Sequence, residues 1–343
     1  LSGAVNTEPT TGPTPIGRLA FPGWMAWATL AVLLATTAGL AAWVIVLRQP
    51  PPEPQAIRFS VGPPGNGSFY PAPNVVTVSP DGSKLALIAT DSPSKPLQLW
   101  VRSLDSEVAQ PLAGTENSTQ PFWSADSRFL AFYADGKLKK IAVTGGPAQT
   151  LAESPGGGGH GSWSREGVIL FAPGGGGTST TIYRVSSAGG KATPVTTLDA
   201  SRQEGGHSWP YFLPDGNHFL YLARSANPEN NAVYAGSLDS PEKKLLLNVL
   251  SNVVYASPGY LIFNREGTLM AQAFDAERLE LTGEEVPIAE EMDFNSVNGR
   301  AAFSTSETGV LAYRTASGVG STQLVWFDRS GKRIGMLGDT AAY

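Results

Sequence analysis

The stretch WSADSRFLAF (123–132) repeats the pattern of VSPDGSKLAL (78–87): an apolar strand ends, a Ser-x-Asp turn reverses the chain, and a second apolar strand begins. The same grammar returns in WSREGVILF (163–171) and FLPDGNHFLY (212–221), and in weaker form in ASPGYLIF (256–263) and STSETGVLAY (304–313). The turn anchors Asp81, Asp126, Glu166, Asp215, Gly259 and Glu307 are 45, 40, 49, 44 and 48 residues apart. A strand-and-turn period of about 40–50 residues is the signature of propeller blades. Asp suits the turn because its carboxylate accepts a nearby backbone N–H, and Gly because it tolerates positive φ. The four acids Asp81, Asp126, Glu166 and Asp215 are therefore read as structural turn anchors.

A third strand follows each copy, as in LQLWVRSL (97–104), KLKKIAV (137–143), TIYRV (181–185), AVYAGSL (232–238), TLMAQAF (268–274) and QLVWF (323–327). Short outer strands at 149–151, 244–247 and 286–288 end the units. Four strands per unit and six units predict an all-β, six-bladed β-propeller of four-stranded antiparallel blades over 57–343. Blades bury their faces only against neighbours, so the ring is expected to fold as one unit. IRFSV (57–61) is expected to join the last blade and close it. Trp100, Trp123, Trp163, Trp209 and Trp326 recur at strand positions and read as stacked inter-blade core.

Ahead of the repeats, residues 24–47 (WMAWATLAVLLATTAGLAAWVIVL) carry no charge. As a helix this run would measure about 36 Å, against a hydrocarbon core of about 30 Å. It exceeds a signal-peptide core, and neither a basic cluster before it nor a small-x-small cleavage site after it is present. A retained transmembrane α-helix is expected, with the lipid bilayer as partner. Arg18 on one side and Arg48 on the other leave its orientation undecided by charge. Residues 1–23, rich in Thr, Pro and Gly, read as a flexible juxtamembrane linker, and the Pro-rich 48–56 as a spacer. The chain starts with Leu, which points to a piece of something longer.

Gly (39) and Pro (27) make up near a fifth of the chain, and 15% of residues are charged. A net charge of −5 without a basic block gives no electrostatic basis for nucleic-acid binding. Zero cysteines exclude disulfides, zinc–thiolate sites and thiol catalysis.

The repeat resembles the TolB-type, WD40-like propeller repeat. The segments 99–106, 114–141, 207–225, 265–290 and 309–314, taken in order, resemble the exported C-terminal region of bacterial membrane-anchored serine/threonine protein kinases. That resemblance implies an N-terminal kinase domain upstream, a single pass through the bacterial inner membrane, and the propeller in the periplasm or outside. The chain itself has no Gly-rich loop with a strand lysine, no His-Arg-Asp and no Asp-Phe-Gly, so no catalytic residue is assigned.

The Gly runs 156–159 and 174–177 lack a following Lys-Ser/Thr and read as inter-strand loops. No Gly-x-Ser-x-Gly elbow occurs. His160 and His207 precede inner strands of adjacent blades and are expected to face the central channel. With Glu204 they form the candidate ligand-binding set; the alternative is a turn histidine bonded to backbone. His218 is expected to be half exposed. No cofactor and no metal are assigned. The expected function is an extracytoplasmic sensor that engages a ligand or envelope protein, with a homodimer forming through the anchor. The alternatives are a non-catalytic TolB-type interaction scaffold and an enzyme with its site in the channel.

Overall fold

The computed structural model describes residues 23–48, 57–70, 76–155, 158–174, 180–316, 322–327 and 333–341. The chain divides into two units, residues 1–58 and 59–343.

The first unit holds one α-helix, Gly23–Arg48. Ala and Leu give it helix propensity, and Thr36 and Thr37 return their hydroxyls to carbonyls three and four residues back. The transmembrane helix expected over 24–47 is not sustained, because no helix among the described residues is long and apolar enough to cross a membrane. Thr29, Thr36, Thr37 and Gly39 dilute its apolar surface. The single-pass inner-membrane placement is corrected with it. The linker 1–23, apart from Gly23, and the spacer 48–56, apart from Arg48, lie outside the described residues.

The second unit is all-β. Among the described residues five sheets of four or five antiparallel strands follow one another along the chain. The first contains Ser68–Phe69, Val76–Val78, Lys84–Thr90, Gln98–Ser103 and Ala109–Pro111. The second contains Thr119–Trp123, Phe129–Ala134, Lys137–Ala142 and Gln149–Glu153. The third runs through Gly158–Trp163, Val168–Pro173, Tyr183–Ser186 and Thr193–Pro194. The fourth has Glu204–Phe212, His218–Ser225, Ala232–Ser237 and Lys243–Leu247, and the fifth Val253–Ala256, Tyr260–Arg265, Thr268–Asp275 and Glu280–Ala289.

The propeller therefore has five blades, not the expected six. The sixth repeat copy forms only a hairpin, Phe303–Thr305 with Leu311–Tyr313. Its third strand, Thr322–Phe327, pairs instead with Arg333–Ala341 as a separate two-stranded sheet. The sequence TASGVGS (315–321) between them is poor in strand formers. Residues 57–61 form no strand, so the expected closure by IRFSV does not occur. Closure falls to the hairpin: Ser304 Oγ accepts from Val78 N (3.1 Å) and lies 3.3 Å from Thr77 Oγ1. The Glu307 N–H adds a bond to the Pro80 carbonyl.

Strand alternation puts successive side chains on opposite faces. In Phe129–Ala134, Leu130, Phe132 and Ala134 pack with Ala86, Ile88 and Leu99 of blade one. Ala131 and Tyr133 point the other way, onto Ile169 and Phe171 of blade three. The same arrangement joins blades three and four, and four and five. Phe303 packs with Val254 and Ile262 of blade five, while Val310 and Ala312 cover Val78, Leu85 and Leu87 of blade one. The core is thus a set of inter-blade layers, and the first strands of the blades converge on the axis.

Candidate functional site

The turn motif forms one rim of the ring. Asp81 Oδ1 accepts from Ser79 Oγ, Ser83 N and Ser83 Oγ, and Asp126 Oδ1 from Ser124 Oγ and Arg128 N. Asp215 Oδ1 accepts from Asn217 N and His218 N, with His218 Nδ1 at 2.5 Å from Oδ2. Partial burial pushes the Asp81 and Asp215 carboxyls up, but these hydrogen bonds outweigh it and hold both below the usual range. Glu166 differs: its carboxylate lies against Gly216 of the next blade, where a Cβ would meet Oε2 at 2.3 Å. The turns also interlock. Ser127 stands where other copies carry Gly, adopts φ 58°, and its Oγ accepts from Asp81 N (3.1 Å).

Inside the ring is a cavity of about 390 Å³. Its wall includes the aromatic side chains of Phe122, Trp123, Trp163, Tyr211, Tyr255 and Phe303 beside serine and threonine hydroxyls. At the turn-side mouth Arg165 Nη2 pairs with Glu307 Oε2 at 2.6 Å. His160 and Arg300 also line the cavity.

His160 reaches the channel through a local backbone device. The inner strands of blades two, three and four each carry a register shift, spanning Thr119/Phe122, Gly159/Gly161 and Ser208/Tyr211. Within each lies a non-glycine residue at positive φ: Gln120 (53°), His160 (37°) and Trp209 (57°). Such bulges re-aim side chains and are a strain that packing must hold in place. The His160 ring sits 5.8 Å from Phe122 and 6.2 Å from Trp209. Burial, and then the charge of Arg300, hold the imidazole well below its ordinary pKa, and a backbone hydrogen bond with Gly161 does not offset them. His160 is neutral at pH 7.

Arg300 is 5% exposed and its guanidinium lies over the Trp209 ring, 5.1 Å from its centre. Trp209 is itself fixed by Nε1 donating to the Asn298 carbonyl at 2.7 Å. Burial lowers the Arg300 pKa to about 10, which leaves it charged at neutral pH. Among the described residues its Nε has no hydrogen-bond partner and its side chain has no carboxylate partner.

Of the sequence-based ligand set, only His160 lines the cavity. Glu204 and His207 are brought together, at 2.9 Å, but in an enclosed network where neither side chain is exposed. Both ring nitrogens are engaged: Nε2 lies 2.9 Å from Glu204 Oε2 and Nδ1 2.7 Å from Thr196 Oγ1. Lys243 Nζ (2.9 Å) and Asp199 N (2.7 Å) donate to the same carboxylate. Burial alone would raise the Glu204 pKa; the bonds from His207, Lys243 and Asp199 hold it at about 2. Arg300 escaped the sequence reading because no repeat position marks it. It lies on a two-residue strand, Arg300–Ala301, between the fifth blade and the closing hairpin.

No protein-family model matches the chain, and no curated protein matches it by sequence. Similar solved structures include TolB from Acinetobacter baumannii, with TM-score 0.50 and 13% identity over 68% of this chain and 55% of that one. A putative TolB from Agrobacterium tumefaciens gives TM-score 0.47 and 16% identity over 71% of this chain and 86% of that one. An oligogalacturonate lyase in complex with manganese gives 0.44 and 13%, over 77% and 88%. The chain spans about 55% of the length of the Acinetobacter TolB. Likeness at this identity speaks to fold, and the fold of this chain is a TolB-like β-propeller.

Proposed function

We propose that the protein is a recognition module, a binding scaffold of TolB-like fold whose partner engages the central channel. The observation that carries this reading is the cavity of about 390 Å³, walled by aromatic side chains on inner strands locked from both sides by neighbouring blades. A volume of this size lies at the lower end of small-ligand pockets, roughly 300–1,000 Å³. The wall is rigid, so little ordering entropy opposes binding.

A ligand-observed NMR fragment screen tests the reading. Ala125 sits in the turn at the channel mouth, and Ala125→Trp would cover that mouth. Fragments that bind the native protein and are lost with the variant support channel recognition. Fragments bound equally by both place recognition elsewhere.

The resemblance of the blade segments to the C-terminal region of bacterial serine/threonine kinases supports a finer reading. In it the propeller is the recognition part of a longer signalling protein. The coding sequence upstream of Leu1 tests this: a Gly-rich loop, a His-Arg-Asp and an Asp-Phe-Gly are expected there, and a start codon in their place contradicts it. Similar folds also occur in an oligogalacturonate lyase and in prolyl endopeptidases. Recognition is preferred for this chain because the cavity presents a fixed cation and aromatic surface, both suited to binding.

A further inference from the structure

We propose that the channel is a carboxylate-binding site in which Arg300 grips the carboxylate of a ligand with an apolar body. The inference rests on the channel reading above and adds the ligand class. Arg300 is an unusual residue to bury. It is 95% removed from solvent, and among the described residues its Nε donor is unmet and no acid pairs with it. A buried charge without a partner is strongly unfavourable, so its retention calls for something that binds it. The carboxylate that does line the cavity, Glu307, is already engaged with Arg165 at the mouth.

Geometry and charge narrow the class. The guanidinium carbon lies over Trp209, and Trp209 is held by Asn298, so the charged group is placed before a ligand arrives. Nε–H and a neighbouring Nη–H form the parallel donor pair that a planar carboxylate accepts in bidentate fashion. Among the described residues at the cavity, His160 is neutral and Arg165 is paired with Glu307, so the unmatched charge is a single positive one. A monoanion cancels it. A phosphate dianion would leave a net negative charge among Phe122, Tyr211 and Phe303. Those same rings supply the surface for an aromatic or aliphatic body next to the carboxylate. A small carboxylic acid and the C-terminus of a peptide share this chemistry.

Calorimetry at pH 7.5 with phenylacetate as probe tests the proposal, with phenylacetamide as the uncharged control. Phenylacetate is expected to bind, and phenylacetamide at least tenfold more weakly. Arg300→Met should weaken phenylacetate at least tenfold, and Arg300→Lys should fail to restore it because the fork is gone. A Phe-terminated tetrapeptide, with free or amidated C-terminus, distinguishes the two sources. Tighter binding of the free peptide than of phenylacetate assigns a chain terminus, and the reverse a small acid. Thermal melting guards against a folding artefact: Arg300→Met should melt at or above the native temperature, since it removes an uncompensated charge. A lower melting temperature would make Arg300 structural and overturn the proposal. So would absence of phenylacetate binding, or equal affinity for acid and amide. If acid and amide bind equally and Ala125→Trp blocks both, the carboxylate inference falls while the channel reading stands. If Ala125→Trp leaves both bound, the channel reading itself falls.

Discussion

Glu204 shows how a residue can be read correctly as a neighbour and still be misjudged in role. Nearness in sequence groups it with His207 in a channel-facing ligand set, and the two meet at 2.9 Å. What the sequence could not reveal is that Lys243, 39 residues on, would close the third side and shut the pair away from the channel. The electrostatic consequence is testable. The folded-state pKa of about 2 lies below the ordinary carboxyl value, so the group stabilises the fold fully above pH ~4.5. That contribution is lost as pH falls from about 4.5 to 2. Urea denaturation across this window should show the native protein losing stability more steeply than Glu204→Gln. At pH 7 the variant should be less stable by about 3 kcal/mol, the usual cost of breaking a buried pair. Parallel pH profiles for the two proteins would contradict the network.

At the scale of elements, the strands of strong β-propensity were legible and the inner strand of blade three was not. Tyr183–Ser186, Ala232–Ser237 and Thr268–Asp275 fall where alternating aromatic and aliphatic residues place them. Gly158–Trp163, by contrast, is GGHGSW, and part of it reads as a flexible glycine loop. Packing explains it. A Cβ at Gly158 would meet the Tyr133 ring at 2.0 Å, and one at Gly161 would meet Phe122 at 2.4 Å and the Leu170 carbonyl at 2.8 Å. Glycine is there to let blade two's aromatics lie against the strand, a demand from tertiary structure that no local pattern records. Gly161→Ala should therefore destabilise the protein by roughly 1–3 kcal/mol through overpacking. A neutral effect in thermal or chemical denaturation would mean that blades two and three are not in this contact. The bulges at Gln120, His160 and Trp209 share this invisibility, because a register shift depends on the partner strand.

Across the whole molecule, the repeat period correctly gave a propeller and overcounted its blades. Six turn anchors are present, yet the last copy builds only Phe303–Thr305 and Leu311–Tyr313 before its remaining strand pairs elsewhere. The anchors report turns, and a turn needs only two strands. This hairpin closes a ring around the channel by docking on blade one. The chain has no cysteine, so a pair introduced as Thr77→Cys and Ser304→Cys reports on closure without background. The native hydroxyls are 3.3 Å apart across 227 residues of sequence. Mild oxidation of the folded double variant should form the disulfide quantitatively, visible as a faster-migrating band on non-reducing gels. It should also raise stability by up to ~5 kcal/mol through loop closure. Free thiols persisting in the folded, oxidised protein would show that the hairpin does not close the ring.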